Sequence, residues 1–109
     1  MALDVPEPVA AYLAAEEAKD VDALSHCFTE DAIVHDEGRD YLGRDSIRQW
    51  KQEVKRKYRY VLQTVNSQTQ GDKVTVRVRV TGEFPGSPVE LDHIFELSND
   101  KIASLEIRS

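Results

Sequence analysis

The position of one histidine gives the first indication of acid–base chemistry in this sequence. His93 lies in a run from Val89 to Leu97 in which apolar and polar residues alternate. Alternate side chains of a strand point to opposite faces, so His93 shares the apolar, buried face and Asp92 the other. A bulge near Pro88 would exchange the two. Because imidazole titrates near neutral pH, this pattern predicts an interior group able to act as acid, base or electrophile.

Other kinds of chemistry lack the residue patterns that they need. His26, Cys27 and His35 do not have the spacing of metal ligands, so we expect no metal site. Ser25 and Ser104 carry no nucleophile signature, and the sequence has no glycine-rich phosphate loop. We therefore expect a protein that works without a cofactor.

Composition describes a small acidic protein. The chain has 109 residues, 40% of them hydrophobic, one cysteine and a net charge of −6. This length predicts a single domain over residues 1–109 with one core. The lone cysteine and the absence of a signal peptide predict a cytoplasmic protein, and no apolar run is long enough to span a bilayer. The acidity disfavours nucleic acid and anionic membranes as partners.

The first half of the sequence has helical periodicity. Val9, Tyr12 and Leu13 form one apolar stripe, and Asp20 can cap a second helix that runs to about residue 28. Residues 32–35 are a short β-prone run, and residues 36–40 are predicted as a polar loop. A third helix is predicted to open at residue 43 or 45, with a basic outer side.

The second half alternates as antiparallel strands do. Runs at residues 58–69, 73–81, 89–97 and 101–108 are separated by turn-forming residues. Helices followed by a sheet with one apolar face indicate an α+β fold in which the helices pack on that face.

Several short segments, in this order and spacing, resemble the nuclear transport factor 2-like superfamily, in particular its SnoaL-like branch of polyketide cyclases and ketosteroid isomerases. The resemblance covers about residues 8–108. The segments that carry it are residues 9–15, 20–24, 27–34 (CFTEDAIV), 41–47 (YLGRDSI) and 95–102 (FELSNDKI). It implies a cone: a curved antiparallel sheet wrapped round three N-terminal helices, also described as cystatin-like, with a pocket inside.

The resemblance also implies a set of site residues. Tyr12 falls at the position of the family's oxyanion tyrosine and Asp36 at that of its base aspartate. Asp92 resembles the family's second acid by letter, but strand alternation instead places His93 in the cone, where a histidine replaces the neutral acid. The residues expected to line the pocket are Trp50, Phe28, Val76, Val78, Leu91 and Phe95.

The resemblance leaves the function open between several alternatives. The preferred one is a pocket for a small apolar molecule, with cofactor-free proton transfer on a carbonyl or ring compound. The first alternative is a non-catalytic ligand-binding or protein-interaction module. The second is an epoxide hydrolase or dehydratase, which would need an Asp–Arg–Asp set inside the cone, whereas Arg77 and Arg79 alternate away from it. A homodimer through the outer sheet face is expected, as is common for such folds.

Overall fold

Helices dominate the first half of the chain in the computed structural model, which describes residues 5–109. The helices are α1 (Glu7–Ala18), α2 (Val21–Ser25) and α3 (Arg44–Lys57). Asp20 caps α2 as the sequence predicted, because its carboxylate accepts a hydrogen bond from the Ala23 N–H at 3.1 Å. Gly43 precedes α3 with a φ of 87°, a left-handed conformation that glycine adopts without strain. Within residues 5–109, no helix is both long and apolar enough to cross a membrane.

One curved, unclosed sheet wraps round these helices and confirms the predicted α+β cone. Its strands are β1 (Phe28–Asp36), β2 (Arg39–Leu42), β3 (Tyr60–Gln70), β4 (Lys73–Gly82), β5 (Val89–Ser98) and β6 (Lys101–Arg108). Their order in the sheet is β2-β1-β6-β5-β4-β3. The sheet is mixed rather than wholly antiparallel, since β1 runs parallel to β6. The chain reaches β1 from α2 and not through a hairpin with β6, so nothing forces these two strands into opposite directions.

Two local boundaries differ from the sequence prediction. Helix α2 ends at Ser25, and Phe28 already belongs to β1 because it pairs with Ile102 of β6. The predicted polar loop is a hairpin, in which β2 pairs with β1 across Glu37 and Gly38. Both turn residues have positive φ, the backbone geometry of a tight two-residue hairpin.

The narrow end of the cone is packed solid. Val76 and Val78 of β4 and Phe95 of β5 are fully buried there. The ring of Tyr12 from α1 packs edge-on against two aromatic rings, with its centroid 5.2 Å from that of Phe95 and 6.0 Å from that of Phe28. Close packing of aromatic and β-branched side chains leaves no room for a ligand at this end.

Candidate functional site

A cavity of about 360 Å³ lies in the wider part of the cone, near the connection from β4 to β5. We call it the cone cavity. Its size suits a small organic molecule. Its apolar lining consists of Trp50, Val54, Leu62, Val80, Phe84, Pro85, Val89, Leu91 and Ile107. Its polar lining consists of Glu16, Asp36, Glu37, Lys51, Tyr58, Tyr60 and His93.

Asp36 lies at the end of β1, half-buried, with its carboxylate in the wall of the cone cavity. The indole N–H of Trp50 donates a hydrogen bond to its Oδ2 at 3.0 Å, which fixes the orientation of the carboxylate. Burial raises the pKa of Asp36 above its ordinary value, and the neighbouring Glu37 acts in the same direction, while Trp50 and Lys51 oppose them. A carboxylate so placed is a better proton acceptor than an aspartate in water.

His93 faces the interior from β5, as the alternation predicted. Its side chain is buried and lines the cone cavity, and its Nδ1 has no hydrogen-bond partner within the part of the chain that the structure describes. Burial and the positive charge of Lys51 lower its pKa to about 4, so the imidazole is neutral at physiological pH. Asp92 points to the opposite face, where it accepts a hydrogen bond from Arg77 at 3.0 Å.

Tyr12 lies deeper than the resemblance implied and does not line the cone cavity. Its ring is enclosed by Phe28, Phe95 and His93, and its hydroxyl is buried without a partner among the described residues. Burial raises the pKa of Tyr12, and the charge of Glu16 raises it further, so the phenol stays protonated.

The predicted pocket-lining residues divide into two groups. Trp50 and Leu91 line the cone cavity. The other four lie in the packed end of the cone and are corrected to core residues: Phe28, Val76, Val78 and Phe95. Strand alternation identified the inward face of Val76, Val78 and Phe95 correctly, but it does not distinguish core residues from residues that line a cavity. The rings of Phe28 and Phe95 pack against that of Tyr12.

A buried ion cluster, which the sequence analysis did not single out, borders the cone cavity. It consists of Glu16 on α1, Lys51 and Lys55 on α3, and Tyr60 on β3. The Glu16 carboxylate accepts hydrogen bonds from Lys51 at 2.9 Å, Lys55 at 2.9 Å and the Tyr60 hydroxyl at 3.2 Å. Burial alone would raise the pKa of Glu16, but the two lysines outweigh it and lower that pKa to about 2. Glu16 is therefore an ionised carboxylate held inside the protein.

Helical spacing contains a signal for this cluster. Glu16 follows Val9 and Tyr12 at i+7 and i+4, so it extends the buried stripe of α1. Lys51 follows Ile47 at i+4 and lies on the buried face of α3. A charged residue in each of two apolar stripes, one acidic and one basic, is the pattern that would have revealed the pair.

The outer face of the sheet carries its own ion pairs. Arg77 donates to Glu90 at 2.9 Å and to Asp92 at 3.0 Å, and Arg79 donates to Glu90 at 3.0 Å. Both arginines point away from the cone cavity, as the alternation predicted. The cavity thus has no arginine among its lining residues of known placement, which disfavours an Asp–Arg–Asp hydrolase site.

Comparison with known proteins matches the chain to one family. The model of the SnoaL-like domain family matches residues 9–105. A solved structure of a candidate polyketide cyclase from Sinorhizobium meliloti is 42% identical, with a TM-score of 0.94 over 96% of each chain. No curated protein matches the chain at a significant level.

More distant solved structures share the fold. A protein from Catenulispora acidiphila with a ketosteroid isomerase-like fold, solved in complex with trimethylamine, is 23% identical. Its TM-score is 0.84, over 96% of this chain and 86% of that one. A cystatin-fold protein from Novosphingobium aromaticivorans is 21% identical, with a TM-score of 0.79 over 94% of this chain and 96% of that one.

Proposed function

The chain belongs to the SnoaL-like domain family, and on that basis we propose that its cone cavity binds a small, mostly apolar carbonyl compound and moves a proton on it without a cofactor. The observation that carries the proposal is Asp36. It is a carboxylate in the wall of a largely apolar cavity, oriented by Trp50 at 3.0 Å, and its pKa is raised by burial. Elevated basicity and fixed orientation are what a general base needs.

In this proposal Asp36 removes a proton from the carbon next to a carbonyl group. The C–H bond breaks, its electron pair passes into the enolate, and the carboxylate holds the proton until it is returned. His93 is neutral and lines the same cavity, so it acts as a hydrogen-bonding electrophile toward the substrate oxygen. Tyr12 supports the site from behind, by packing against His93 with ring centroids 6.2 Å apart.

Hydrogen–deuterium exchange tests this proposal without knowledge of the natural substrate. The protein is incubated in D₂O with a panel of small cyclic ketones, and loss of the signal of the hydrogens next to the carbonyl is followed by proton NMR. We expect faster exchange than in buffer at the same pH. Leu91→Trp, which fills the cavity without touching a charged group, is expected to abolish the acceleration.

Leu42→Trp is the matched control, because it makes the same change at a residue of β2 that is 65% exposed and lies outside the cavity lining. With this variant, the hydrogens of the ketone should exchange as fast as with the wild type. An acceleration that survives Leu91→Trp, or no acceleration with any ketone that binds, would contradict the proposal.

A non-catalytic ligand-binding module of the same fold is the second candidate. The observation in its favour is the position of Tyr12, whose hydroxyl lies outside the cavity lining and so cannot contact a ligand in this arrangement. Binding of ketones without accelerated exchange would favour this candidate.

The proposal extends to the setting in which the protein works. The single cysteine, Cys27, is a free and buried thiol, which suits the reducing cytoplasm. A homodimer through the outer sheet face is part of the same proposal. Val61 and Val65 of β3 are 64% and 42% exposed and are the apolar side chains that such an interface could cover.

A further inference from the structure

The buried ion cluster contains more positive than negative charge. Both oxygens of the Glu16 carboxylate are occupied, one by Lys51 and the other by Lys55 and Tyr60. Two ammonium groups thus share one carboxylate. Since charge is costly to bury without compensation, a surplus cation in the interior needs a further partner.

Lys51 is the lysine of this cluster that lines the cone cavity. Its side chain is 3% exposed and lines the cone cavity, whereas Lys55 is not among the lining residues. Its Nζ donates to Glu16 and lies 4.2 Å from the centroid of the Trp50 ring. An ammonium group has three protons to donate, so Lys51 keeps donor capacity after binding Glu16. His93, the nearest alternative, is neutral.

Asp36 is the carboxylate of the cavity wall whose charge interacts with that of Lys51. When Asp36 is ionised, its negative charge balances the surplus positive charge of the cluster. When Asp36 takes a proton from a substrate carbon, the negative charge moves to the substrate oxygen, and the total charge in the cavity stays the same. The positive charge of the cluster then balances the negative charge of the enolate, as it balanced that of ionised Asp36 before the proton was transferred.

We propose that Lys51 binds the anionic oxygen of the ligand, so that the cone cavity selects apolar compounds bearing one acidic oxygen, as an enolate or a phenolate does. For the enolate this rests on the proposed function above, but the preference for an anion is a binding property that needs no turnover. Charge-assisted hydrogen bonds in a cavity of low polarity are about twice as strong as neutral ones, which makes the preference measurable.

A pair of probes of nearly equal shape tests the inference. Binding of 4-nitrophenol, at a pH at which it is ionised in free solution, is compared with binding of uncharged 4-nitrotoluene by equilibrium dialysis. Asp36 competes with an anionic ligand for the charge of Lys51, so the comparison is made in Asp36→Asn, which we expect to favour the phenolate by about tenfold or more, as one charge-assisted hydrogen bond allows. Adding Lys51→Met to Asp36→Asn should abolish this preference while keeping the affinity for 4-nitrotoluene.

Lys57→Met is the matched control, because it removes the same charge from an exposed position on the same helix. It should retain the preference. Asp36→Asn, which removes the competing negative charge, should bind the phenolate more tightly than the wild type does. A preference that Lys51→Met leaves unchanged, or no preference in Asp36→Asn, overturns the inference.

The outcomes separate this inference from the proposed function. Loss of deuterium exchange in Asp36→Asn supports the assignment of Asp36 as the base. If the preference is at the same time unchanged in Lys51→Met, the anion site is rejected. If the preference depends on Lys51 but the protein does not accelerate deuterium exchange, the anion site is supported and the proposed proton-transfer activity is rejected.

Discussion

Asp36→Asn is expected to lower the enzyme-catalysed rate of deuterium exchange by about 10²–10⁴-fold, the usual contribution of a general base. An amide cannot accept the substrate proton. Its oxygen can still accept the hydrogen bond that the Trp50 indole donates at 3.0 Å, so the local geometry is preserved. The measurement is the exchange rate of a ketone that binds wild type and variant equally.

The loss of rate should not come from unfolding. Because the folded-state pKa of Asp36 is raised, the native protein holds this proton more tightly than the unfolded chain does. The ionised carboxylate therefore costs stability above that pKa, and the neutral asparagine relieves the cost at neutral pH. Asp31→Asn is the matched control, because it makes the same change at an exposed position of β1 outside the cavity lining, and the ketone should exchange as fast with it as with the wild type. Equal rates for Asp36→Asn and the wild type would refute the assignment of the base.

Glu16→Leu is expected to lower the free energy of unfolding by about 3–5 kcal/mol, as measured by urea denaturation. The substitution leaves Lys51 and Lys55 without their shared carboxylate. The Lys51 side chain is 3% exposed and that of Lys55 is 19% exposed, so water cannot replace Glu16 for the more deeply buried of the two. An unpaired buried charge is among the most destabilising changes that a single substitution can make.

Two further variants identify the cause of the lost stability. Glu17→Leu makes the same change at an exposed neighbouring position on α1 and should change the free energy of unfolding by less than about 0.5 kcal/mol. Glu16→Leu combined with Lys51→Met removes both halves of the buried pair and should recover part of the loss, since a buried ion pair can often be replaced by apolar side chains. If Glu16→Leu were as stable as Glu17→Leu, the cluster would not be the buried network described above.

The sequence was most informative where side-chain periodicity is strict. Alternation along β5 distinguished His93 from Asp92, and the structure agrees, because one buried face and one ion-paired face leave a single register possible. The pattern of turns gave the order of the elements. It missed β2, since four residues with mostly exposed side chains have no apolar periodicity to mark them as a strand.

The same patterns do not show which of the inward-facing residues line the cone cavity and which belong to the packed core. Val76 and Leu91 both lie on inward faces of neighbouring strands, yet only Leu91 reaches the cone cavity. Val76 pairs with His93, which lines the cavity, so position along the strands does not separate core residues from lining residues. The packing that separates them depends on contacts between distant parts of the chain. Helical spacing places Glu16 and Lys51 on the buried faces of α1 and α3, but it does not show that these two residues, 35 positions apart in the sequence, pair with each other.

The central claim is that the carboxylate of Asp36, made more basic by burial in the cone cavity, is the group that accepts the substrate proton. The most direct test is to measure, on one wild-type sample, the pH dependence of the exchange rate and the carbon NMR titration of the Asp36 carboxyl group. A base must be ionised to work, so the rate should fall as pH falls through the pKa of Asp36, and that pKa should lie above the ordinary 3.8. Coincidence of the two midpoints is the result that we expect, and a rate that stays constant while Asp36 becomes protonated would contradict the claim.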